Sequence, residues 1–244
     1  SRMGGGSTVQ GFHSRTIGIN ANNEQVPMYG GGRLTGKVGK WSIGTLIMQT
    51  GSLESSVGSE ISPSNNYIVG RASYDVGERS RAGVLFTNRQ ASTTDYNREL
   101  GFDGRWGIND QTTVDAWIMK TETPDLDGND FAGQIQFDWG SPRFQVRGAY
   151  LDVGENFNPE KGNDERHGYR KWLFRIRNRT RPEDFLGLLE IRPHITYWGY
   201  WKLDGFQQTG FLHVDNHWEF RNGFRIDTGC LLYTSDAADE RSSV

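Results

Sequence analysis

The chain has 244 residues with 27 basic and 30 acidic side chains, and this near balance, with no basic block, excludes a nucleic-acid partner. Hydrophobic residues reach only 34% and mean hydropathy is −0.68, and without an apolar run of about 18 residues a membrane-spanning helix is excluded. The single cysteine excludes a disulfide framework. Aromatics nevertheless make up 12% and glycines number 32. That combination suits a β-sheet with one apolar face and one polar face, as in an outer-membrane barrel, whose amphipathic strands escape hydropathy windows.

Residues 1–27 are a lead-in, Gly/Ser-rich to Gln10 and then poor in apolar side chains, expected to lead to the first strand or line a polar lumen. They carry no charged segment followed by an apolar one, so any export signal is expected outside this chain. The barrel region is expected over residues 28–229. Gly30 to Gly39 alternates Leu34, Gly36 and Val38 with Arg33, Thr35 and Lys37, turns at Gly39-Lys40, and returns as Trp41 to Thr50. After a polar loop, Tyr67 to Val76 sets Ile68, Ala72 and Tyr74 against Arg71, Ser73 and Asp75, and Arg81 to Gln90 runs back.

The clearest alternation follows. From Tyr96, apolar residues or glycine recur at every second place through Ile108, with Arg98 the exception, while Asn97, Glu99, Asp103 and Arg105 fill the other face. A period of two is the signature of a strand. Asn109-Asp110 turns the chain into Thr112 to Thr121, which completes a long hairpin. Phe131 to Trp139, with Asp138 on its polar side, and Phe144 to Tyr150, with Arg147, repeat the pattern. Beyond the polar loop Gly154 to Gly168, Trp172, Phe174 and Ile176 oppose Arg175, Arg177 and Arg179. An aromatic-rich strand spans Leu186 to Leu203, and a further strand sets Leu212, Val214 and Trp218 against His213, Asp215 and His217. Asn222-Gly223 reads as a type I′ turn into a last strand.

Tight turns at 39–40, 77–80, 109–110, 140–143, 180–184 and 222–223 alternate with mostly longer polar loops, the asymmetry of barrels with short periplasmic turns and long external loops. Strands near ten residues exceed the usual 5 to 6 of soluble sheets and match tilted spans. Trp41, Trp106, Trp139, Trp172 and Trp218 stand near strand ends, where an interfacial girdle belongs. The expected fold is all-β, an antiparallel up-and-down transmembrane β-barrel of about 12 strands, incomplete in this chain. Outer-membrane lipid is then its first partner. The closing stretch CLLYTSDAADE reads as the translation of a transposase adapter from shotgun library preparation, so residues 230–244 are expected not to be native.

Chemistry is sparse. His213, Asp215 and His217 share a strand face, but same-face neighbours lie about 6.5–7 Å apart, which favours a hydrated lumen row over a metal site. A glycosidase needs two carboxylates at a fixed separation. Glu99, Asp103, Asp115, Asp138 and Glu190 are instead expected to pair across strands with arginines such as Arg71, Arg105 and Arg147. The row Arg175, Arg177, Arg179 would attract anionic solutes or belong to an ion-pair network. Tyr197, Trp198, Tyr200 and Trp201 suit the girdle, with sugar stacking as the alternative. No phosphate loop, nucleophile elbow or cofactor motif is present.

The segments Ser14–Gly18, Gly30–Lys37, Trp41–Gly44, Asn66–Arg71 and Phe86–Arg89, most specifically GGRLTGKVGKWSIG, resemble an outer-membrane family. In that family a domain similar to carbohydrate-binding module family 9 precedes a barrel domain of unknown function. The resemblance implies a carbohydrate-binding-like domain upstream in the full-length parent and a carbohydrate ligand outside the cell. It is consistent with a pore, with a purely structural anchor for a binding domain, or with a surface-associated carbohydrate-active hydrolase.

Overall fold

The computed structural model describes residues 17–20, 24–54, 60–160 and 167–235. The rest of the lead-in, most of the tip of the 154–168 loop and the tail beyond 235 lie outside the described residues. Among those described there is no helix. The strands are β1 (Met28–Val38), β2 (Trp41–Thr50), β3 (Leu53–Glu54), β4 (Glu60–Ser62), β5 (Asn66–Val76), β6 (Ser80–Gln90) and β7 (Tyr96–Gly107). There follow β8 (Thr112–Glu122), β9 (Phe131–Gly140), β10 (Phe144–Val153), β11 (Tyr169–Asn178), β12 (Leu188–Lys202), β13 (Gln207–Phe220) and β14 (Arg225–Ser235). Twelve of them form one antiparallel sheet in the order β1-β2-β5-β6-β7-β8-β9-β10-β11-β12-β13-β14. It is an up-and-down meander, and hydrogen bonds do not close it on itself. Among the described residues no helix is long and apolar enough to cross a membrane, which says nothing of crossing by strands.

The chain divides into two compact units. The first comprises residues 1–104, 117–133 and 153–167. Its long loop after β10 packs inward, with Phe157 fully buried. Asn97 Nδ2 donates to Thr123 Oγ1 and to the Asn158 carbonyl, and Asn158 N–H donates to Thr121 Oγ1. Arg89 clamps Glu160 with two guanidinium nitrogens, at 2.5 and 2.9 Å. The second unit comprises residues 105–116, 134–152 and 168–244, with Leu151, Tyr169, Leu173 and Leu188 buried.

In both units many large apolar side chains are exposed while polar ones are buried beside apolar residues such as Val69, Leu151 and Leu173. Ile47 and Phe102 in the first unit, and Trp106, Ile135 and Phe174 in the second, are exposed. Polar side chains on the alternate positions, including Thr50, Asn97, Glu99, Gln134, Lys171 and Glu190, are buried. Adjacent strands place exposed apolar residues beside one another, so the apolar positions form a continuous face rather than scattered spots.

Three expectations are corrected in detail. Asn222-Gly223 is not a type I′ turn, which needs positive φ at both central residues. Only Gly223 has it (φ 85°), and Gly223 N–H bonds the Phe220 carbonyl while Phe220 N–H bonds Phe224. This is a three-residue loop, a type I turn closed by a left-handed glycine. The connection between β11 and β12 is longer than a tight turn at 180–184: β11 ends at Asn178 and β12 begins at Leu188, with Leu186 and Gly187 at positive φ just before it. The polar loop after β2 contains its own small hairpin, β3 with β4. In the lead-in, Val26 N–H bonds the Gly18 carbonyl and Val26 is buried. Strand β14 continues past Gly229 to Ser235, with every residue exposed. The ladder itself is built from backbone groups that any residue offers, with Thr234 Oγ1 adding a bond to the Gly210 carbonyl.

Candidate functional site

In the first unit the polar face is a set of ion pairs. Arg71 on β5 grips Asp103 on β7 through both guanidinium nitrogens, reaching over β6. It crosses at Gly83, where a Cβ would sit 2.6 Å from Arg71 Nη2. Asp75 accepts from Lys37 (2.9 Å) and Arg81 (2.8 Å). Glu99 is 2% exposed, and its Oε1 has no hydrogen-bond partner among the described residues.

In the second unit the polar side chains enclose a cavity of about 900 Å³. Residues of β7 and of β14 both line it, so the polar face of this unit is concave. Its charged lining is Arg105, Arg147, Arg175, Arg177, Arg192 and Arg225 against Asp138 and Asp227, a strong excess of positive charge. Arg147 pairs with Asp138 at 2.5 Å and Arg105 lies 3.9 Å from Asp115. Arg175 bonds only Thr196 Oγ1 (3.1 Å), and Arg177 bonds Gln145 Oε1. Neither has a carboxylate partner among the described residues. Arg179, the third member of the expected row, instead joins Arg181 and Arg192 around buried Glu190, at 3.1, 2.7 and 3.2 Å.

The four aromatics of β12 do not act as one group. Trp198 and Tyr200 share the polar face with Thr196, and Tyr200 is buried with its hydroxyl 3.0 Å from Lys171 Nζ. Trp198 stacks on Phe211 of β13, with ring centroids 4.8 Å apart and planes 18° from parallel. Both rings remain partly exposed, and Thr196, two residues before Trp198, accepts from Arg175 of the cavity wall. For Trp198 and Tyr200 the girdle expectation is therefore corrected. Their place follows from the two-residue period, counted from Thr196.

Comparison with known proteins finds no matching family model, no matching curated protein and no matching solved structure.

The histidine row is the largest departure from the sequence reading. His213, Asp215 and His217 do converge, because the short Asp215 side chain sits between two longer imidazoles that lean toward it. Asp215 Oδ2 lies 3.7 Å from His213 Nε2 and 3.4 Å from His217 Nε2. A fourth member comes from β12, where His194 is the register partner of Asp215, and its Nε2 is 4.0 Å from the same oxygen. Asp227 on β14 reaches His217 Nδ1 at 2.5 Å. His194 and Asp227 were missed in the sequence. The signal available for His194 was register, counted back from the short connection Leu203 to Phe206.

Proposed function

We propose that the chain forms part of the wall of a β-barrel in the outer membrane of a Gram-negative bacterium, and that its polar face binds or passes extracellular carbohydrate, acidic saccharides above all. The burial pattern carries the membrane half. A continuous face of exposed Phe, Ile, Leu and Trp beside a face of buried Thr, Asn, Gln and charged residues is costly in water and favourable when lipid covers the first face and water the second. Trp41, Trp106 and Trp139 at strand ends beside tight turns fit an interfacial belt.

The carbohydrate half is supported by the Trp198 and Phe211 platform, which offers flat apolar surface to a sugar ring, and by Arg175 and Arg177, without carboxylate partners among the described residues, which offer forked donors to a uronate or sulfate group. It is supported as well by the likeness of Gly30 to Gly44 to barrels that follow a carbohydrate-binding-like domain. A purely structural anchor is the second reading. The inward-packed 154–160 segment favours it, since it covers part of the polar face of its unit.

The test is to express the full-length parent gene with a signal peptide, purify it in detergent and record conductance across planar bilayers with neutral and with uronic-acid oligosaccharides. Steady conductance, blocked more strongly by the acidic sugars, is expected. A folded barrel that neither conducts nor binds sugar leaves the anchor, and a water-soluble monomer overturns the membrane assignment.

A further inference from the structure

We propose that His194, His213, Asp215 and His217 form a binding site for a transition-metal dication, zinc first, with Asp227 orienting one of the ligands. One ligand atom from each of His194, His213 and Asp215 lies within 4.8 Å of the others. Zinc bound at its usual distances of about 2.0–2.2 Å separates tetrahedral ligands by roughly 3.4 Å. Small rotations of the imidazoles close that gap. His217 Nε2 lies 3.4 Å from the same Asp215 oxygen but outside that group of three, and would have to turn further toward it to serve as a fourth donor.

The hydrogen bonding argues that a cation belongs there. An ionised carboxylate only accepts, so at 2.5 Å from Asp227 Oδ1 the His217 Nδ1 must carry the proton. In the neutral ring Nε2 is then a bare lone pair, and it faces Asp215 Oδ2, another acceptor. Two acceptors in contact repel unless a proton or a metal cation lies between them. Asp227 thus plays the part that carboxylates play behind metal-bound histidines, fixing the tautomer and raising the basicity of the ligating nitrogen. Asp215 is mostly buried, and its Oδ1 has no partner among the described residues, so its charge is otherwise poorly compensated.

His194 lies 5.2 Å from His213 and 5.4 Å from His217 between ring centroids, so the three rings crowd around one carboxylate. The neighbouring arginines do not take Asp215 as their partner. Arg192 pairs with Glu190 and Glu219, and Arg225 with Glu219. Three imidazoles and one carboxylate are a donor set for zinc, copper or nickel rather than for calcium or magnesium. The site joins β12 to β13 directly and β14 through Asp227, and His194 and His217 also line the arginine cavity.

The inference stands apart from the carbohydrate proposal, and its test does not need it. The untagged chain, folded in detergent micelles and stripped with a chelator, is titrated calorimetrically with zinc chloride and, separately, followed by the visible bands of cobalt(II). One equivalent of metal, with tetrahedral cobalt bands, is expected. His194→Ala and Asp215→Asn should each weaken binding at least tenfold. Asp227→Asn, which removes no ligand, should weaken it by about 10- to 100-fold. His167→Ala should change nothing. Far-ultraviolet circular dichroism of every variant separates lost binding from lost folding. A folded chain that takes up no metal, or binding unchanged in both His194→Ala and Asp227→Asn, overturns the site.

Discussion

Arg71 and Asp103 meet although the strand between them, β6, separates β5 from β7, and they meet because residue 83 is glycine. The guanidinium occupies the volume that a side chain at 83 would fill. Gly83→Ala should therefore dislodge Arg71 from Asp103. Both partners are more than a third exposed, so the loss should stay within about 1 kcal/mol. In an Arg71→Ala background the same substitution should cost nothing further. Urea unfolding of the two single variants and the double variant in detergent measures the coupling, and strict additivity would contradict the arrangement.

Glu190 is the acceptor for three arginines and is itself buried. Glu190→Ala should cost about 1.5–3 kcal/mol, the scale of lost hydrogen bonds to a charged group. Arg181→Ala, an exposed arm of the same cluster, should cost less than about 1 kcal/mol. Equal effects in chemical denaturation would mean that the cluster does not share one buried acceptor.

Phe102 and Ile135 sit near the middle of β7 and β9 and are exposed. If lipid covers them, Phe102→Arg or Ile135→Arg should destabilise the chain in bilayers by about 2–4 kcal/mol. On a water-covered surface the same changes would fall within about 0.5 kcal/mol. Reversible unfolding from liposomes distinguishes the two outcomes.

Gly154 lies where the loop after β10 leaves the sheet. A Cβ there would stand 1.9 Å from the Asn129 carbonyl oxygen, a backbone atom with no side-chain freedom to yield. Gly154→Ala should cost about 1–3 kcal/mol and loosen the loop. Faster proteolysis within residues 154–160 is the expected readout.

Trp198→Ala should reduce affinity for oligosaccharides about tenfold or more if the platform with Phe211 binds sugar. Arg175→Ala with Arg177→Ala should reduce the preference for acidic over neutral sugars and leave neutral binding nearly unchanged. Equilibrium binding followed by tryptophan fluorescence measures the second effect, and isothermal titration measures both.

The strands, their near-ten-residue lengths and the assignment of residues to an apolar or a polar face were legible from alternation, because a strand's two-residue period is a local property of the backbone. Tyr96 to Thr121 shows it most plainly, and the observed hairpin differs from that reading only at its ends. Turn geometry at Asn222-Gly223 was less legible, since one left-handed glycine serves either a two-residue or a three-residue loop. Which polar side chains meet was decided by tertiary structure alone. Register sets His194 opposite Asp215, a missing side chain at Gly83 lets Arg71 span an intervening strand, and a loop distant in sequence brings Glu160 to Arg89. Each depends on distances between strands far apart in the chain, which no local pattern of residues encodes.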